Sequence, residues 1–114
     1  MLNFDQKNKQ FNLTTATYNE TKGFKYDYAV LPWGSTEPHN FHLPYLTDAY
    51  ITQNLAIEAV AKAFEENSIK GMVLPPIYMG SQSPLLREPP SSIHTRYETQ
   101  KAILKDIVAS LCYQ

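Results

Sequence analysis

Two short apolar runs, each closed by proline and each leading through a loop into a helix-period segment, constrain this chain more than any other feature. The first is 26-YDYAVLP-32 and the second is 71-GMVLPPI-77. In the first run Ala29, Val30 and Leu31 are apolar without alternation, the pattern of a strand covered on both faces. Between the runs, from about Thr47 to Asn67, apolar residues recur at helical spacing. Ile51, Leu55, Ala59 and Ala63 fall every fourth residue, Ala56, Val60 and Phe64 widen the stripe, and Glu58, Lys62 and Glu65 occupy other positions. Asn67-Ser68 and then Gly71 end it.

A second helix is expected from Thr95 to about Leu111. Thr95 and Glu98 have capping-box spacing, and Ala102, Ile103, Ile107, Val108 and Leu111 form its apolar face. The order strand–loop–helix–strand–loop–helix implies an α/β unit with a parallel sheet. In such folds sites gather in the loops leaving the carboxyl ends of the strands. Two loops sit there: 31–48, and 78-YMGSQSPLLREPPSSIH-94, long enough to read as functional.

Two strands and two helices are too little for a sheet covered on both sides, and the sequence stops where a further strand is due. It therefore reads as the front half of a larger α/β domain, a single domain or the N-terminal part of one over 1–114. Residues 1–23 are polar, with Leu2, Phe4, Phe11 and Leu13 scattered among Asn, Gln, Lys and Thr. They read as an arm docking on something larger, with a short helical turn started by a Thr17–Glu20 capping box and limited by Gly23.

The composition removes several classes of function. A net charge of −1 gives no electrostatic footprint for nucleic acid or an anionic membrane, so neither is expected as a partner. No run of 18 or more apolar residues spans a bilayer, and the first ten residues lack a signal-peptide core. The single cysteine, Cys112, excludes an internal disulfide framework and suits a reducing compartment, so the protein reads as cytoplasmic. The glycosylation-type triplets at Asn12 and Asn19 then read as chance. Cys112 itself is expected as a buried or semi-buried thiol at a helix end.

The chemistry is concentrated in 31-LPWGSTEPHNFHLPYLTD-48. Pro38 biases Glu37 toward extended geometry, and residues i and i+2 of an extended segment project to one side. The Glu37 carboxylate and the His39 imidazole can then converge, and Asp48, at the expected helix start, can fold back toward them. Carboxylate and imidazole donors suit Zn, Mn, Fe or Ni, and a carboxylate can bridge two ions. Plainer readings stand beside this one: Asp48 as a helix N-cap, either histidine as a hydrogen-bonding loop residue, Glu37 as a solvated turn carboxylate, and Trp33 as wall packing rather than a substrate platform.

The whole run resembles the signature of the creatininase (creatinine amidohydrolase) family, roughly L-P-x-G-S-x-E-x-H-G-x-H-L-P-x-x-T-D. Leu31, Pro32, Gly34, Ser35, Glu37, His39, His42, Leu43, Pro44, Thr47 and Asp48 all match without a gap. Asn40 stands where the family usually has Gly, a position where positive φ is expected and Asn tolerates it better than most residues. The resemblance implies a three-layer α/β/α fold with a mainly parallel sheet, of which this chain is about the first half, and a homo-oligomer, often a hexamer.

It also implies two divalent metal ions (Zn, Mn or Fe). Glu37 would bind one, His39 the other, and Asp48 would bridge them, while His42 would support the site, contact substrate or move a proton. In the resembling segment 72-MVLPPIYMGS-81, Ser81 is expected to reach the substrate, with Trp33 beside it. Thr95 matches a family Pro-Gly-Thr entry to the next helix, but His94 replaces the Gly. Residues 84–93 depart from the family's Ser-x-x-His form, so the pocket's substrate is left open. The later Asn-x-His-Gly-Gly-Asn-like motif, and the His and Glu that complete the family's site, are not in this sequence.

The expected activity is hydrolysis of a C–N amide bond, cyclic or linear, in a small molecule. Creatinine hydrolases, formamide deformylases and peptidases acting on modified peptides share the motif. The rival from another class is a non-catalytic α/β fragment that assembles but turns nothing over.

Overall fold

The computed structural model describes residues 6–113. A 3-10 helix (Gln6–Phe11) leads to a one-turn helix α1 (Tyr18–Thr21), strand β1 (Tyr28–Val30), the long helix α2 (Thr47–Asn67) and strand β2 (Gly71–Val73). A short helix α3 (Pro84–Arg87) and helix α4 (Tyr97–Tyr113) follow. The strands pair in parallel, Tyr28 with Gly71, Ala29 with Met72 and Val30 with Val73, as the strand–helix–strand order requires. Leu2 and Phe4 of the expected arm lie outside the described residues. No helix among the described residues is long and apolar enough to cross a membrane.

Side chains alternate across the two-stranded sheet, and its two faces meet different surroundings. Tyr28, Val30 and Val73 turn toward α2 and the 3-10 helix, where Phe11, Ala56, Ile57, Val60 and Val73 form the core with Phe24 and Phe64 packed against it. Phe11 stacks on Phe24 and Phe64 at 5.5 and 5.0 Å between ring centroids. The N-terminal arm is therefore integral to this unit, because Phe11 is one of its most deeply buried side chains. The segment also pairs with the outer side of β2, through an Asn12–Val73 bridge and a Leu13 N–H bond to the Val73 carbonyl of 3.0 Å. Asn12 is buried, so its glycosylation triplet is structural.

Helix α2 starts and ends where the sequence predicts, but it buries a different stripe. Its buried residues are Ala49, Gln53, Ala56, Ile57 and Val60, while Ile51 and Leu55 are 53% and 60% exposed. Gln53 tolerates this because its Nε2 donates to Thr14 Oγ1 at 2.7 Å. Alanine and aliphatic residues occur all round this helix, so periodicity admits more than one phase. Ser68 closes it in a left-handed conformation, φ 58°.

Other expectations need correction. The second helix begins at Tyr97 rather than Thr95, whose N–H bonds instead to the Gly80 carbonyl at 3.0 Å. None of its residues is buried, so its apolar face is not sealed against the described part of the fold. Cys112, on this helix, is exposed rather than semi-buried. Strand β1 is likewise covered on one face only, with Ala29 exposed on the other. The Thr17–Glu20 capping box forms as expected, the Glu20 carboxylate accepting from the Thr17 N–H at 2.8 Å.

Candidate metal centre

The chains leaving β1 and β2 run side by side past the ends of the strands. Ile77 N–H donates to the Pro32 carbonyl (3.0 Å) and Gly34 N–H to the Ile77 carbonyl (2.8 Å), extending the pairing to a Trp33–Ile77 bridge. Gly34 then passes against the first turn of α2. A Cβ at this position would lie 2.5 Å from the Ala49 backbone nitrogen, so only glycine lets the loop close on the helix. Beyond it the loop turns on Asn40, whose φ of 59° is the positive value expected from the sequence, and whose Oδ1 accepts from Phe41 N–H at 2.8 Å.

This path brings Glu37, His39 and Asp48 together, with one donor atom of each within 4.8 Å of the others. His39 Nδ1–H donates to the Glu37 carbonyl at 2.9 Å, which leaves the lone pair of the neutral ring on Nε2. That nitrogen faces Asp48 Oδ1 at 3.0 Å and Glu37 Oε1 at 3.8 Å. A lone pair and two carboxylates converging on one volume repel unless a positive charge stands between them. A proton on Nε2 is one solution and a metal ion is the other. Burial lowers the His39 pKa, but the Glu37 carbonyl and then the Asp48 and Glu37 carboxylates outweigh it and hold it above the ordinary histidine value. The donor types suit a divalent cation, and the two His39 distances, 3.0 and 3.8 Å, fall where ligands about 2 Å from one ion stand.

Asp48 is not the N-cap of α2. Leu46 takes that place, and Asp48 lies in the first turn with its carboxylate turned to His39. The positive end of the helix macrodipole favours a carboxylate there as well.

The remaining candidates divide. His42 is exposed on the turn beyond His39, and among the described residues it has no hydrogen-bond partner. Trp33 is half-buried, and its indole N–H donates to the Met79 carbonyl at 3.0 Å. Ser81 is exposed; its Oγ donates to the Thr95 carbonyl at 2.9 Å and accepts from Gln100 Nε2 at 2.6 Å.

Gln82, unmarked by any sequence pattern, is the buried polar side chain that ties the two loops together. Its Nε2 donates to Ser35 Oγ, two residues before Glu37, and its backbone N–H donates to His94 Nδ1 at 2.9 Å. Further bonds run from Ile93 N–H to the Thr36 carbonyl (2.9 Å), from Thr36 Oγ1 to the Tyr78 carbonyl (2.6 Å) and from Tyr45 OH to the Pro90 carbonyl (3.0 Å). Because His94 accepts at Nδ1, its neutral ring carries its hydrogen on Nε2, and neither nitrogen offers a free lone pair to a metal.

The family model described as creatininase, creatinine amidohydrolase, matches residues 12–114. Among solved structures, the chain is similar to the "putative creatinine amidohydrolase" of Bacteroides fragilis NCTC 9343, with 48% identity and a TM-score of 0.91. The match covers 94% of this chain and 42% of that one, so the chain spans less than half the length of that relative. No curated protein matches.

Proposed function

The chain belongs to the creatininase family, and from that premise we propose that it supplies the Glu37–His39–Asp48 part of a two-metal centre that hydrolyses a C–N amide bond, cyclic or linear. Family membership supports reading it as part of a metal-dependent amidohydrolase; the activity, the substrate and the number of ions all belong to the proposal. In this reading Glu37 would hold one ion, His39 the other, and Asp48 would serve both. Divalent ions held there would supply Lewis acidity toward a carbonyl and toward water.

The chain's own residues prepare that site. The Glu37 carbonyl holds the His39 ring in the tautomer whose Nε2 can ligate. Asp48 sits on the rigid first turn of α2, and Gly34 lets the loop approach it closely. His42, exposed on the turn beyond His39, would contact substrate or move a proton. The small-molecule amide, a homo-oligomeric assembly such as a hexamer, and the cytoplasm complete the proposal.

The observation that carries it is the convergence of the His39 Nε2 lone pair with two carboxylates. The test is metal content by elemental analysis of the purified chain and of Asp48→Ala, with amide hydrolysis followed on creatinine, formamides and blocked peptides. Metal content and hydrolysis unchanged by the substitution would refute the reading.

A further inference from the structure

Gln82 is 4% exposed in a stretch where Ser81, Ser83, Pro84 and Leu85 are open to solvent. Three bonds fix it. Its backbone N–H donates to His94 Nδ1 at 2.9 Å, its carbonyl accepts from Arg87 Nε at 3.0 Å, and its side-chain Nε2 donates to Ser35 Oγ. Its Oε1 is buried and accepts no hydrogen bond from the described residues. Turned over, the amide would accept from the Ser35 hydroxyl and bury an unpaired donor instead. In either orientation half of a buried amide is unpaired, which costs stability. A methionine of similar length would fill the space without that cost. Packing alone therefore does not account for an amide here; what the amide adds is a fixed position for Ser35.

Ser35 stands where its position matters. Gly34, just before it, lies against the backbone of Ala49, the residue after Asp48. Gly80 also approaches closely: a Cβ there would lie 3.3 Å from Ser35 Oγ and 3.4 Å from the Gly34 carbonyl oxygen. Thr36, just after Ser35, is bonded through its hydroxyl to the Tyr78 carbonyl and through its carbonyl to Ile93 N–H. The three residues leading into Glu37 are thus held between the second loop and the first turn of α2, which carries Asp48. In the other bonds that join the two loops, the second loop contributes backbone groups. Gln82 contributes a side chain, so this bond can be removed without touching the backbone.

We propose that Gln82 is a positioning residue of the metal centre: by holding Ser35 it sets where the Glu37 carboxylate stands relative to His39 and Asp48. The inference rests on the metal-centre reading. It adds that the second loop tunes ion affinity through this one bond while supplying no ligand of its own. Ligand geometry tolerates little displacement, and groups that hold ligands in place change metal affinity by about 10- to 100-fold when removed. Gln82 acts through Ser35 and two further residues of backbone, so the lower end of that range applies.

The experiment uses the whole 114-residue chain. Gln82→Met keeps the volume and removes the bond; Ser35→Ala removes it from the other side and carries the same test should Gln82→Met not fold. Cobalt(II), which takes the same nitrogen and oxygen donors, is titrated by its visible absorption well below each variant's melting temperature. The expected result is affinity about tenfold weaker in either variant, with a changed cobalt spectrum. The double variant should lose no more than either single one, since both break one bond. A loss of stability alone would move neither the affinity nor the spectrum. In the metal-free chains, amide hydrogen exchange over residues 35–39 should quicken in both variants. Native cobalt affinity and spectrum in Gln82→Met, losses that multiply in the double variant, or unchanged exchange over 35–39 would each overturn this inference alone. Failure of the unsubstituted chain to take up cobalt would overturn the metal-centre reading and this inference with it.

Discussion

The two faces of the β1–β2 sheet carry similar kinds of residue and have different fates. On one face Phe11, Ile57, Val60 and Val73 close into a dry cluster. On the other, Ala29 and Met72 look across a cavity to α4, a helix of 17 residues with none buried. Both flanking helices are amphipathic by sequence. What differs is the amount of matter opposite them: α2 has the sheet and Phe11 beneath it, whereas α4 has the cavity beside Leu111 and no buried residue. An apolar stripe reports that a surface can be buried, and the stability gained depends on what meets it.

Mutation of the closed face should have the largest effect. Phe11→Ala removes a fully buried ring from contact with Phe24 and Phe64 and is expected to cost about 3–5 kcal/mol in chemical denaturation. Val108→Ala, on the open side, should stay within about 0.5 kcal/mol. Equal costs would erase the distinction between the faces. Next in size is Gly34→Ala, whose Cβ would press on the Ala49 backbone; about 1–3 kcal/mol of destabilisation and a matching loss of metal affinity are expected from denaturation and metal titration.

Metal should stabilise only the edge of the closed unit where the two loops meet. A divalent ion at 100 times its dissociation constant should add about 2.7 kcal/mol, read as a rise in melting temperature, and Asp48→Ala should abolish the rise. A smaller effect follows from His39. Its pKa is raised in the folded, metal-free chain, so the fold binds this proton more tightly than the unfolded chain does. The corresponding stabilisation is fully present below the ordinary histidine pKa and is lost as pH rises through the raised value. Denaturation midpoints of the metal-free chain across that range should fall, and those of His39→Gln should fall less. Smallest of all, Cys112 should react with a thiol reagent in the folded chain as fast as in the unfolded one, with no change in melting temperature.

Much of this arrangement was legible beforehand. The alternation of strand and helix gives the parallel pairing, and Thr47–Asn67 is read with its observed ends because Ser68 and Gly71 interrupt a long helix-forming run. The run from Leu31 to Asp48 names its three converging residues, and Asn40 in place of glycine announces its positive φ. Less legible was the clasp built on Gln82. A buried amide in a proline-rich loop has no period or motif, and its partners Ser35 and His94 lie 47 and 12 residues away. Ser81, the residue the sequence pointed to in that loop, is bonded to Thr95 and Gln100.

By itself, then, the sequence determined local events: where helices start and stop, which loop holds carboxylate and imidazole at converging spacing, and which residue can bear a left-handed turn. These depend on backbone sterics and on groups a few residues apart. Only the tertiary structure decided that α2 buries Gln53 and Ile57 rather than Ile51 and Leu55, that Phe11 of a polar arm fills the core, and that α4 is left open. Burial is set by what stands opposite a side chain, and for these residues the opposing surface comes from segments distant in sequence.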